Sequence, residues 1–146
     1  MRIVLGMVMT LAMLLTIGCA PSTPTVSPEP VEVQILVRGL MPPTEQSLVV
    51  GDEVRISDTG TVLGTISEVN VEPALLAVPD NKGVLREARS PILVDVQVTI
   101  EGEAALTDQG FKFGEQLVYV NNDLRYRTTA VQFAGLITGI RAADSD

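Results

Sequence analysis

Apolar and polar residues alternate strictly over two stretches of this chain. In the first, Val31, Val33, Ile35 and Val37 oppose Glu32, Gln34, Leu36 and Arg38; in the second, Val94, Val96, Val98 and Ile100 oppose Asp95, Gln97, Thr99 and Glu101. A period of two belongs to a strand with one buried face. Between them, Gly51 to Val69 reads GDEVRISDTGTVLGTISEV. It predicts a Gly-Asp corner, a short strand carrying Val54 and Ile56, an Asp58-Thr59-Gly60 turn, and a returning strand built on Leu63, Ile66 and Val69. Further on, Gly110 to Gly114 leads into a strand at Leu117 to Val120. Asn121-Asn122-Asp123 then turns the chain, and Leu124 to Arg127 and Val131 to Ile140 complete the set. The expectation is an all-β domain over 31–141, with Gly51, Asp52, Gly60 and Gly114 as structural turns and a frayed tail over 142–146.

The pattern repeats. At an offset of 63, Val31 falls on Val94, Gly39 on Gly102, Gly51 on Gly114 and Val54 on Leu117; past the hairpin turn the offset becomes 71, with Gly64 on Gly135 and Ile66 on Ile137. Two strand-plus-hairpin units with matching apolar faces bury those faces best against each other, which predicts a small barrel or rolled sheet with pseudo-twofold symmetry. In both copies the last strand breaks phase, between Ile66 and Val69 and between Ile137 and Ile140. A bulge near Ser67-Glu68 and another near Thr138-Gly139 restore the buried face.

Pro73 to Pro91 is the least regular part of the domain. Ala74 to Val78 is apolar, Asp80-Asn81-Lys82-Gly83 is a turn, and Val84 to Arg89 suits either a helical turn or two or an extended arm. A long connection inside a small domain suggests function. Leu75, Leu76 and Val78 form a candidate contact loop, with a lid folded back over the barrel end as the competing reading.

The first thirty residues change the picture from fold to address. Arg2 precedes an almost wholly apolar run, Ile3 to Ile17, and Gly18-Cys19 follows. The run is short for a bilayer span and resembles a bacterial lipoprotein signal, with Cys19 as the lipidated residue; retention of residues 1–20 as a membrane helix is the alternative. Pro21 to Pro30 holds four prolines and four hydroxyl side chains, so it reads as an extended linker. This places the domain outside the cytoplasm, anchored to a bacterial membrane.

Charge and residue types narrow the chemistry. The formal net charge is −8, which disfavours nucleic acid. There is no His and one Cys, so Ser-His-Asp and Cys-His arrangements and the usual zinc sites are excluded. Asp58-Thr59-Gly60 looks like the triplet of retroviral-type aspartic proteases, but such enzymes need two carboxylates and the second half offers Asn121-Asn122-Asp123. A hairpin turn explains the triplet. Arg125 and Arg127 share one strand face and suit either an anion or nearby carboxylates. No cofactor, metal or catalytic residue is expected.

From Val31 to Arg141, the stretches VEVQILVRG, VGDEVRISDTGTVLGTISEVNVEP, VTIEGEAALTDQG and AGLITGIR resemble domain of unknown function 4330, a bacterial family. The resemblance implies a small β protein behind an N-terminal hydrophobic segment, and no activity. A weaker likeness of Gly51 to Val69 is to the MCE domains of lipid-transport systems, whose barrels project an apolar loop; Ala74 to Val78 is similar to that loop. The expected function is a non-catalytic, membrane-tethered module that binds or scaffolds another envelope protein, with an MCE-like lipid-handling subunit as the alternative.

Overall fold

The computed structural model describes residues 27–143. The predicted anchor over 1–20 with Cys19, most of the 21–30 linker and the last three residues lie outside them. The strands are β1 (Glu29–Leu40), β2 (Glu53–Ile56), β3 (Val62–Pro79), β4 (Leu85–Thr107), β5 (Gly110–Phe113), β6 (Gln116–Val118), β7 (Asp123–Arg127) and β8 (Gln132–Ala142), with a 3-10 turn at Thr44–Ser47. All pairings are antiparallel in one sheet that curves round on itself: β1 pairs with β4 and β8, β8 with β7, β7 with β2, β2 with β3, and β3 with β4. These six strands close a ring. The β5–β6 hairpin extends the sheet from the end of β4.

The inward residues are those the alternation selects. Val31, Val33, Ile35 and Val37 of β1 and Val96, Val98 and Ile100 of β4 are buried with Val54, Ile56, Leu63, Ile66, Tyr126, Phe133 and Ile137. Burying one such side chain is worth about 1.5–3 kcal/mol, so a slip of one residue, which turns a whole strand inside out, is strongly disfavoured.

The internal duplication is present, with a corrected register. Ile66 pairs with Ile100 and Val69 with Val98; Ile137 pairs with Ile35 and Ile140 with Val33. Thus β3 maps on β8 by 137 − 66 = 71, and β1 maps on β4 by 100 − 35 = 65, not 63. At the corners, the Gly51 amide donates to Ile66 O at 2.8 Å and the Ile66 amide to Asp52 O at 2.9 Å; Asn121, Ile137 and Asn122 repeat this at 2.7 and 2.9 Å. The counterpart of Gly51 is therefore Asn121, and that of Val54 is Leu124, since these two pair with Gly64 and Gly135. Gly114 and Leu117 belong instead to the inserted β5–β6 hairpin, and Tyr119 and Val120, expected in a strand, lie beyond β6. Two causes explain the misreading. A strand slid by two residues keeps its faces, so 63 and 65 fit the alternation equally well. Asn also tolerates the left-handed backbone that both corners need, with φ of 98° at Gly51 and 72° at Asn121.

Both predicted bulges occur, at Ser67 and Thr138, where the register shifts. The hydroxyls confirm their equivalence: Ser67 Oγ donates to Thr99 O at 3.3 Å and Thr138 Oγ1 to Gln34 O at 3.2 Å. Gln34 and Thr99 are counterparts by the offset of 65 and also cross-strand partners. The pseudo-twofold axis consequently passes between them, and on the far side of the ring between Ile56 and Tyr126, which are likewise paired.

Candidate functional site

The longest strands overrun the ring. Beyond Pro73 and Val94, β3 and β4 pair only with each other, as far as Pro79 opposite Leu85. Pro73 to Pro91 is thus a projecting two-stranded arm and not an irregular connection, and Val84 to Arg89 is extended. At the predicted turn, Asp80 Oδ1 accepts the amides of Lys82 (2.8 Å) and Val84 (3.0 Å), and Asp80 Oδ2 accepts Arg86 Nε (3.0 Å). These donors, Arg86 first, hold the Asp80 carboxyl below its ordinary range. At the base of the arm a single β3 residue, Ala74, faces four of β4, Ser90 to Leu93. Ser90 Oγ accepts the amides of Ile92 and Leu93 at 3.2 and 2.8 Å, which satisfies two donors released by the irregularity.

Neither face of the arm is covered. Leu75, Ala77, Pro79 and Leu85 share one face with Glu87 and Arg89, while Leu76, Val78 and Ala88 share the other with Arg86. Leu75 is 59% exposed, Leu76 38%, Val78 41% and Leu85 67%. The lid reading is therefore overturned. The ring interior is filled by its own side chains, and none of Leu75, Leu76, Val78 and Leu85 is among them.

The arm also has a definite direction. Its base lies beside the end of β1, where Val37 pairs with Val96 and Leu40 with Val94, whereas the start of β1 pairs with the far part of β4, Glu29 with Ala104. The arm and the N-terminal entry of the chain thus leave opposite ends of the ring.

A second surface is the outer side of β7. Alternation turns Tyr126 inward and Arg125 and Arg127 outward, and Arg127 stands directly opposite Arg55 of β2. Among the described residues Arg125 and Arg127 form no ion pair, while Arg55 Nε donates to Glu53 Oε1 at 2.6 Å. The expected carboxylate partners are not there. A pocket of about 210 Å³ beside them is lined by Arg125, Gln132, Phe133 and Ala134. Asp58-Thr59-Gly60 is the β2–β3 turn, with the Gly60 amide donating to Ile56 O at 2.8 Å. Its counterpart is the Thr128–Val131 turn and not Asn121-Asn122-Asp123. Among the described residues no three of His, Cys, Asp and Glu are grouped to hold a metal ion.

Ring, corners and arm define a class: a small, internally duplicated, all-antiparallel β domain with one projecting ribbon. The chain belongs to the family described as Domain of unknown function (DUF4330), whose model matches residues 2–141. No curated protein and no solved structure matches it.

Proposed function

We propose that the protein is a non-catalytic binding or scaffolding module, tethered by its N-terminal segment to the outside of a bacterial membrane, which presents the β3–β4 arm to an envelope protein. The observation that carries this reading is the exposure of Leu75, Leu76, Val78 and Leu85 on a ribbon leaving the ring at the end opposite β1's start. Exposed apolar side chains concentrated on one projection, while the ring fills its own core, mark a contact surface more than a structural need. An anchor ahead of β1 would place that surface away from the membrane. Crosslinking in intact cells tests it: wild type captures a discrete protein, and Leu75→Asp with Leu76→Asp abolishes capture while melting stays unchanged. Capture that is absent, or indifferent to both substitutions, refutes the reading.

The lipid-handling alternative draws on the same arm, because MCE domains also project an apolar loop from a β ring. Native mass spectrometry discriminates between the two. Co-purified lipid lost in the Leu75→Asp, Leu76→Asp variant supports the alternative, and a lipid-free chain that still captures a protein removes it.

A further inference from the structure

We propose that the outer face of β7, with the strands on either side, is an oxyanion-binding site in which Arg125 and Arg127 are the principal ligands. Cross-strand neighbours set two rows. The Ser57 amide donates to Arg125 O at 2.8 Å and Arg125 lies opposite Ala134, giving Ser57, Arg125 and Ala134; the next row is Arg55, Arg127 and Gln132. Two guanidiniums without ion-pair partners, a side-chain amide and a hydroxyl therefore share these two rows, and Arg125 and Gln132 line the 210 Å³ pocket. The hydroxyl is Ser57 Oγ, which is buried and has no hydrogen-bond partner. Like charges directly opposite on neighbouring strands repel, as Arg55 and Arg127 do here. With eighteen acidic residues against ten basic ones, the chain had carboxylates to spare for neutralising them, yet among the described residues only Arg55 receives one. Asp123, two residues before Arg125 on the same strand, forms no ion pair with it.

Gly60 belongs to the same patch. A Cβ there would sit 3.9 Å from Arg127 Nη2, so the guanidinium lies against the β2–β3 turn. A planar guanidinium donates two parallel hydrogen bonds to a carboxylate or phosphate, and two of them with a hydroxyl suit a small tetrahedral or planar oxyanion. The shared chemistry fits a free phosphate or carboxylate compound and an anionic lipid headgroup equally.

The test is calorimetric titration of the full chain with inorganic phosphate and with citrate, and flotation with phosphatidylcholine vesicles with and without phosphatidylglycerol. The variants are Arg125→Gln, Arg127→Gln and the double change, with Arg38→Gln as an exposed control arginine outside the patch. Loss of one guanidinium's charge-assisted bonds should weaken binding by about tenfold, and the control should stay within about twofold. Arg125→Lys should fall between, since it keeps charge and loses the fork. With no anion present, the double variant should melt at the same temperature as wild type or higher, because repulsion at Arg55 and Arg127 is relieved. Binding of soluble anions identifies a free ligand, and binding only to phosphatidylglycerol vesicles identifies a headgroup. The site is refuted if wild type binds none of these probes, or if Arg38→Gln weakens binding as much as the β7 changes do.

Discussion

Ile56 and Tyr126 face each other across the pseudo-twofold axis, each the counterpart of the other, and both are buried. The symmetry is chemically imperfect at this point. Where one half places an alkyl side chain, the other places a phenol whose hydroxyl is buried without a hydrogen-bond partner, its ring 5.5 Å from that of Phe133. Burial, with a smaller effect of the Asp123 charge, pushes the Tyr126 ionisation far above its ordinary value.

Tyr126→Phe should therefore leave the fold intact and raise stability by about 1 kcal/mol, because it removes an unsatisfied buried donor while keeping the ring. A second consequence concerns alkali. Above pH ~10 the unfolded phenol loses its proton while the folded one keeps it, so wild-type stability falls as pH rises. Chemical denaturation at pH 7 and pH 11 should show that loss reduced in Tyr126→Phe.

The bulge hydroxyls should behave as a matched pair. Ser67→Ala and Thr138→Ala each remove one bond to the backbone of the opposite half, to Thr99 O and Gln34 O, and each should cost about 1 kcal/mol. The double variant measures whether the two bulges act independently. Additivity within about 0.5 kcal/mol is expected for sites sharing no partner.

Gly64 and Gly102 mark where β3 and β4 come closest. A Cβ on Gly64 would lie 2.0 Å from Glu101 O, and one on Gly102 1.8 Å from Leu63 O, both backbone atoms of the ring. Gly64→Ala or Gly102→Ala should cost more than about 3 kcal/mol and yield little folded protein. Gly83 at the arm tip has positive φ and nothing within 4 Å, so Gly83→Ala should cost only about 1 kcal/mol of local strain. Melting curves of the three variants check the contrast.

At the arm tip, Asp80 accepts three hydrogen bonds and its ionisation is depressed, with Arg86 as the largest cause. A depressed carboxyl contributes its stabilisation above the unfolded pKa of ~3.9 and loses it as pH falls through the lower folded value. Amide exchange at Lys82 and Val84 should therefore speed up on acidification below about pH 4, relative to the intrinsic rate, while ring amides keep their protection. Asp80→Asn should produce the same loosening at neutral pH, with no loss of partner capture if Leu75 and Leu76 carry the contact.

Local signals carried much of this fold. Alternation at Val31 to Val37 and Val94 to Ile100 selected the buried faces, Asp58-Thr59-Gly60 and Asp80 to Gly83 marked hairpin turns, and the broken phase at Ile66 to Val69 and Ile137 to Ile140 located both bulges. Each depends on backbone geometry within a few residues, and that is written in residue types. The register between the two halves is different, since sliding a period-two strand by two residues changes no local preference; only the pairings of Ile66 with Ile100 and Ile137 with Ile35 select 65 over 63. The fate of the apolar segment Leu75 to Val78 was equally a tertiary matter. Whether it becomes a lid or an arm depends on how far β3 and β4 go on pairing beyond the ring, and they do so as far as Pro79 opposite Leu85. Arg125 and Arg127 were visible as a pair, but their lack of ion pairs among the described residues depends on which strands flank β7, and strand order arises only when the ring closes.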